Sequence, residues 1–302
     1  MSATAPPLGL LLDVDGPIAS PVSRSISVPS IAGDLVALAN AGVPIAFNTG
    51  RSDRFLADRV VPRLVEEGLS DDALVWGICE KGAVTARVTP HGLGEIEVDQ
   101  RLAVPRDFVE ELRDLVQRSY ADAMFFDDTK RAMVSVEQNV DTTPEEYAPR
   151  KDAFAAEAAV ALESRGLGYE WDDRRVPGAD GGIPFRIDPT IISVDVESVL
   201  AGKDLGASKF FALLESAGAS LPRRWRTLGD SRTDYAMSDW LHERGHEVVH
   251  VDVRPADGVP SKPYPVRHHA SAIHDEAGAL YLSRWLQMVR GEADDDVLPG
   301  AR

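Results

Sequence analysis

The stretch that most constrains this chain is LLLDVDGPIAS, residues 10–20. An apolar run over residues 8–14 is broken only by Asp13, and the turn formers Gly16 and Pro17 follow Asp15 directly. Such a run suits a strand buried on both faces, as in a parallel sheet. Two carboxylates one residue apart at its end repel each other, and burial makes the repulsion worse. A hard divalent cation resolves the conflict, because Mg2+ takes oxygen ligands and favours one or two carboxylates with water and substrate phosphate.

The rest of the chain supplies the sheet that such a strand needs. Ile31, Leu35 and Leu38 have helical spacing, and Gly42 stops that helix. Residues 43–48 predict a second apolar strand, 55–68 a helix and 73–78 a third strand. Strand, helix, strand, helix, strand predicts an α/β fold with a doubly wound parallel sheet. The middle differs. Residues 84–98 predict a hairpin, 107–119 and 144–165 helices, and 131–137 and 183–197 strands, an α+β pattern. The parallel pattern then returns, with a helix over 208–217, a short strand over 226–228, a helix over 235–244, a strand over 247–253 and a last helix over 276–289. The expected organisation is a core of residues 1–83 and 190–290, an inserted domain over 84–189, and a disordered polar tail over 291–302.

Charge and composition remove several classes of partner. The net charge is -17, which argues against nucleic acid or an anionic membrane as main partner, since both need a basic face. A small anionic substrate is not excluded, because a metal or a few cations can reverse the field in one cleft. The single cysteine, Cys79, allows no intrachain disulfide and reads as a small buried hydrophobe. The N-terminal residues lack a signal-peptide layout, and no run approaches the ~20 apolar residues of a membrane span. The expected location is cytoplasmic.

In an open α/β sheet, ligands sit at the carboxyl ends of the strands. Polar residues fall there at Asp13 and Asp15, at Thr49, at Lys209 opening a later helix, and at Asp230 and Asp234. An aspartate can attack phosphorus as a nucleophile, and a carboxyl two residues on can carry the proton. A threonine hydroxyl can hold phosphate oxygens, and a lysine can offset charge.

The motifs DVDGP, NTGR, a lysine before an apolar helix, and GDSRTD, in this order, resemble those of the haloacid dehalogenase superfamily of phosphohydrolases. GICEKGAV resembles the ENGA-type strand of the branch with Cof-like, sucrose-phosphate and trehalose-phosphate phosphatases, which carries an α/β cap after the third core strand. The resemblance implies a Rossmann-like core with an inserted cap over 84–189 and a Mg2+-dependent phosphatase acting on a small phosphorylated metabolite, such as a sugar phosphate. It implies Asp13 as nucleophile and metal ligand. Asp15 is implied as general acid/base whose backbone carbonyl touches the metal. Thr49 would bind the phosphoryl group, Asp230 would ligate the metal, and Asp234 would stand behind it or reach the metal through water. Lys209 in SKFFALL fits the family lysine, and Lys203 in AGKDLG is its rival. Pro17 stands where the family carries Thr or a similar residue, and Lys81 where it usually has Asn.

Other residues admit two readings. Gly50 and Arg51 could face the substrate, or Arg51 could pair with a surface carboxylate. Lys81 and Arg186 could hold the polar end of a substrate or be surface charges. His268 and His269 lack partners at ligand spacing and read as loop surface, Ser231 as a helix cap, and Trp171 beside Asp172 and Asp173 as a partly buried aromatic next to an acidic turn. Two other functions fit the same residues: a phosphomutase, and a catalytically idle binding or regulatory protein on this fold.

Overall fold

Short apolar segments form the predicted strands in the computed structural model, which describes residues 6–298. The chain begins with β1 (Gly9–Leu12), α1 (Pro29–Asn40), β2 (Ile45–Asn48), α2 (Asp53–Arg59), α3 (Val61–Glu66) and β3 (Val75–Cys79). Then come β4 (Val84–Thr89), β5 (Gly92–Val98), α4 (Arg106–Ser119), β6 (Met124–Phe126) and β7 (Val134–Gln138). The long α5 (Pro144–Ser164) leads to β8 (Tyr169–Trp171), β9 (Arg174–Val176), β10 (Phe185–Pro189) and β11 (Ser193–Ser198). The last elements are α6 (Lys203–Ser216), β12 (Arg224–Gly229), α7 (Tyr235–Glu243), β13 (Glu247–Asp252), β14 (Val266–Arg267) and α8 (His274–Arg290).

The chain forms two compact units. One holds the chain up to Glu97 and again from Gly202; the other is Val98–Ala201. In the first unit the sheet runs β14-β13-β12-β1-β2-β3-β4-β5. β1 lies parallel to both β12 and β2, and every one of its residues is buried, as a strand covered on both faces must be. Leu12 stands opposite Leu228 on one side and Phe47 on the other. That register brings Asp13, Asn48 and Gly229 to one end of the sheet. Phe210, Phe211 and Leu214 of α6 and Met237 and Leu241 of α7 pack with Trp76 and Trp225 over one face. The architecture is the predicted α/β, doubly wound parallel sheet.

In the second unit the sheet order is β6-β7-β11-β10-β8-β9, antiparallel except where β10 meets β8. Phe108, Leu112 and Val116 of α4 recur every four residues and join Phe154 and Leu162 of α5 against Val134, Val136, Val194 and Val196. A capping box between Thr143 and Glu146 starts α5. This is the α+β insert.

Four expectations are corrected. The insert does not start at residue 84 or end at 189: β4 pairs antiparallel with β3, Cys79 opposite Val84, so the hairpin extends the core sheet. At the other end β11 pairs with β7 and β10, so the insert runs on to Ala201. The helix expected over 55–68 is two, because α3 restarts at Val61 with a proline in its first turn. The tail expected to be disordered is partly ordered: Asp296 is buried and accepts hydrogen bonds from Arg226 Nε (2.5 Å) and Trp285 Nε1 (3.0 Å). Residues 299–302 of that tail lie outside the described residues. No helix among the described residues is long and apolar enough to cross a membrane.

Candidate active site

Adjacent parallel strands β1 and β12 deliver the acidic residues. The backbone N–H of Asp13 donates to the Leu228 carbonyl (2.8 Å), fixing the start of the loop after β1 against the end of β12. Asp13, Asp230 and Asp234 each offer a carboxylate oxygen, all within 4.8 Å of one another. The loop turns at once: Ile18 and Ala19 N–H both donate to the Val14 carbonyl. Gly16 has φ +95°, and a Cβ there would lie 2.7 Å from Asp230 Oδ2, so only glycine fits. Pro17 follows in the same turn, and its carbonyl oxygen lies 2.0 Å from where a Cβ on Gly278 would stand.

Asp234 organises its own loop. Its Oδ2 accepts from Asp230 N (3.1 Å), Ser231 N (2.9 Å) and Ser231 Oγ (2.7 Å). Gly229 permits this, since a Cβ there would stand 2.2 Å from Asp234 Cβ. Ser231 is thus the cap that its sequence position suggests, and Asp234 sets the direction of Asp230.

The lysine that stands at this cluster is Lys203, not Lys209. Its Nζ lies 2.6 Å from Asp13 Oδ1 and 2.6 Å from Asp234 Oδ1, and donates to the Asn48 carbonyl at 2.8 Å. Asn48 Nδ2 returns a bond to the Lys203 carbonyl (2.8 Å). The physical reason for the difference is the start of α6, five residues before the predicted 208, which places Lys203 in the first turn beside β1 and β2. Lys209 lies six residues on, about 240° around the helix, half-buried away from Asp13. Gly202 as cap and Asp204 in the first turn were the available signals for the earlier start.

One buried ammonium faces two buried carboxylates. Burial would lower the Lys203 ammonium, but Asp13 and Asp234 together hold it above its usual range. Burial would raise Asp234, yet Lys203 and the Ser231 hydroxyl hold it below the usual carboxylate range. Asp13 goes the other way: burial, with Asp234 and Asp15 nearby, outweighs Lys203 and raises it well above. Burial and Asp234 push Asp230 up to about 6 against the pull of Arg254. The cluster carries more negative charge than its cations balance, and its donors are all hard oxygens. Both features fit a divalent cation such as Mg2+.

The second-strand loop supplies the remaining polar groups. Thr49 is buried at the end of β2, with its N–H on the Ile78 carbonyl (2.9 Å) and its Oγ1 accepting from Arg51 N (3.1 Å). Lys81 crosses Gly50, its Cε 3.7 Å from where a Cβ on that glycine would stand. Lys81 N donates to the Thr49 carbonyl (3.0 Å), and its own carbonyl accepts from Gly202 N (2.8 Å). Glu80 and Lys81 both take positive φ, 48° and 56°, a strained path that ties the Thr49 loop to the start of α6. Arg51 pairs with Asp15, whose side chain is 39% exposed, so its pairing partner is a carboxylate of the site itself. Arg186 belongs to the second unit, where it pairs with buried Glu197 (2.6 Å) and donates to the Ala201 carbonyl (2.6 Å). Two neighbours escaped the sequence reading: Asn48, beside the recognised Thr49, and Arg254, 3.8 Å from Asp230 Oδ2 just past β13. His269 accepts bonds from Ser271 and Ala272 N–H in its loop. Trp171 lies in β8 under the Arg174 guanidinium, and Cys79 is buried.

Solved structures of low sequence identity share this architecture. The C-terminal domain of C. albicans trehalose-6-phosphate phosphatase superposes with a TM-score of 0.58 at 14% identity, covering 95% of this chain and 93% of that one. A haloacid dehalogenase-like hydrolase from Bacteroides thetaiotaomicron gives 0.57 at 12% identity, covering 93% and 100%. Thermoplasma acidophilum 0175 gives 0.53 at 14% identity, covering 94% and 100%. This is the haloacid dehalogenase fold. No family model and no curated protein matches the chain. In this fold the carboxyl ends of β1, β2 and β12 converge on one edge, and the Asp13, Asp230, Asp234 and Lys203 cluster of this chain stands there.

Proposed function

We propose that this chain is a phosphoric monoester hydrolase that holds Mg2+ and acts on a small phosphorylated metabolite through an aspartyl-phosphate on Asp13. The observation that carries the reading is the buried contact of Lys203 with Asp13 and Asp234 beside Asp230, at the carboxyl edge of a parallel sheet. A buried carboxylate held by a lysine, next to oxygen donors suited to a cation, has what phosphoryl transfer needs: a positioned nucleophile and fixed positive charge.

Asp13, Asp230 and the Asp15 carbonyl would hold the cation, with Asp234 fixing the loop behind Asp230. Bound there, Mg2+ supplies charge stabilisation to the phosphoryl oxygens. Lys203 supplies a second cation and keeps Asp13 aimed. Thr49 Oγ1 and the N–H groups of the following turn would take phosphoryl oxygens. A carboxylate oxygen of Asp13 forms a bond to phosphorus while the ester P–O bond breaks, and Asp15 gives a proton to the leaving oxygen. In the second half Asp15 takes a proton from water, the water oxygen bonds to phosphorus, and the Asp13–phosphorus bond breaks. The Val98–Ala201 unit would act as the cap that sets the substrate.

The test is phosphate release from p-nitrophenyl phosphate and a panel of sugar phosphates with Mg2+. Asp13→Asn should lose at least about a thousandfold of the turnover, the scale of removing a nucleophile that acts as one unit with its partners. Undiminished turnover in that variant overturns the reading.

A further inference from the structure

We infer that Arg51 is a positioning residue for Asp15, an inference that rests on the phosphatase reading above. The need for one follows from how Asp15 is held. Asp13 is buried at the strand end, but Asp15 stands in the loop beyond it, with an isolated bridge to Ala19 and a side chain 39% exposed. A carboxyl in that setting has rotamer freedom, and proton delivery is sensitive to displacement of about an ångström.

Arg51 removes that freedom. Its Nε lies 2.9 Å from Asp15 Oδ2 and 3.1 Å from Oδ1, and its Nη2 lies 3.0 Å from Oδ1. This is a fork contact, which fixes the plane of a carboxylate as well as its position. The arginine is fixed in turn. Its N–H donates to Thr49 Oγ1 (3.1 Å), its carbonyl accepts from Glu80 N (3.0 Å), and its guanidinium lies over the Phe55 ring, 5.0 Å from the centroid. Asp15 on the first-strand loop is therefore clamped to the second-strand loop that carries Thr49. A carboxylate has about four lone-pair sites. The fork takes the lone pairs that the two oxygens turn toward the guanidinium and leaves the outward-facing ones for the proton that moves between Asp15, the leaving oxygen and water.

The same geometry says which substitution fails. Lysine offers a point charge on a flexible stem and cannot reproduce a fork contact or stack flat on an aromatic ring. Arg51→Lys should therefore behave like Arg51→Gln.

The readout is leaving-group dependence. The value of kcat/KM reports steps up to departure of the leaving group. A p-nitrophenolate leaves without a proton, whereas an alkoxide needs one. The experiment compares kcat/KM for p-nitrophenyl phosphate and for a simple alkyl phosphate, with Mg2+, in one preparation of each protein. Their ratio is then independent of the fraction folded. Arg51→Gln and Arg51→Lys are expected to cut the alkyl ester about tenfold or more and p-nitrophenyl phosphate less than about threefold, a part of the 10²–10⁴ that a general acid contributes. Asp15→Asn should show the same split, larger, and Arg51→Gln added to it should change the ratio little.

If Arg51→Gln lowers both esters equally, Arg51 binds substrate or supports the fold, and the inference is wrong. A rescue by Arg51→Lys overturns the fork argument. If Asp15→Asn shows no split, the acid role of Asp15 fails first and the inference falls with it. If the native protein and all variants leave both esters intact, the phosphatase reading itself is refuted.

Discussion

Replacing Lys203 by methionine tests the electrostatic core of the site most directly. Methionine is of similar length and fills a buried channel readily, so the change removes charge with little loss of packing. Lys203 Nζ lies 2.6 Å from both Asp13 Oδ1 and Asp234 Oδ1, and all three side chains are buried. Removing one partner of a buried ion pair costs about 3–5 kcal/mol, because the other charge stays buried without compensation. At roughly 2–4 °C per kcal/mol for a unit of this size, a loss of about 4 kcal/mol lowers the melting temperature of the core transition by roughly 8–16 °C. The sign with pH follows from the two acids. Lys203 now holds Asp234 below its usual range and opposes the rise of Asp13. Without it both carboxyls move above their unfolded values. An acid raised on folding costs stability above its folded pKa and is relieved as pH falls through that value. The gap between native and variant proteins is therefore widest at pH 8 and narrows towards pH 5. Thermal melts followed by circular dichroism in EDTA at both pH values measure it, and Mg2+ should shrink it by restoring positive charge. A drop of less than about 2 °C at pH 8, or a gap that widens on acidification, refutes the reasoning.

Two further predictions concern the frame around the site. His250 is fully buried, with its Nδ1 2.7 Å from Thr227 Oγ1 and 3.2 Å from Ser238 Oγ, and burial pushes its imidazole down to about 4. A depressed histidine gives stability that is present above the unfolded value near 6.5 and lost as pH falls towards 4, about 3 kcal/mol in all at 1.36 kcal/mol per unit. His250→Asn should flatten urea-unfolding free energies across that window, and an unchanged slope would remove His250 as their source. Arg226, buried within β12, is paired by Asp296 of the C-terminal segment. Asp296→Ala should cost about 3 kcal/mol by the same buried-charge argument, and Arg226→Met should recover most of it in a double-mutant cycle. A single variant within about 0.5 kcal/mol of native protein would refute that pairing.

The residues legible in sequence were those whose signal is local. Asp13 and Asp15 stand at the end of an apolar run, and Asp230 with Asp234 follow a strand and a glycine, so their placement needs only the rule that parallel strands end on one edge. Lys203 was harder, because its role depends on where a helix begins. The apolar residues Phe210, Phe211 and Leu214 announce α6, but its first two turns with their cap, GKDLGAS, are polar or small except for Leu205, and a single apolar residue gives no hydrophobic period there. The insert boundaries failed for a related reason. β4 has strand character whichever sheet it joins, and only the antiparallel register with β3 assigns it to the core.

The C-terminal segment shows where composition misleads. GEADDDVLPGAR is polar enough to read as solvated, and nothing local distinguishes Asp296 from Asp294 or Asp295. What decides is a residue seventy positions earlier. Arg226 lies in a strand that must be buried to carry Asp230 to the sheet edge, and a buried guanidinium needs a carboxylate. The acidic tail supplies it. Arg51 obeys the same logic within the site. Read alone, TGR leaves its cation free to face the substrate or to pair with a surface carboxylate. Only the fold shows its guanidinium turned to Asp15, which in the proposed mechanism would make it a clamp on the proton carrier instead of a contact for the phosphoryl group. In both cases the sequence displays the charge, and the fold chooses which opposite charge it must answer.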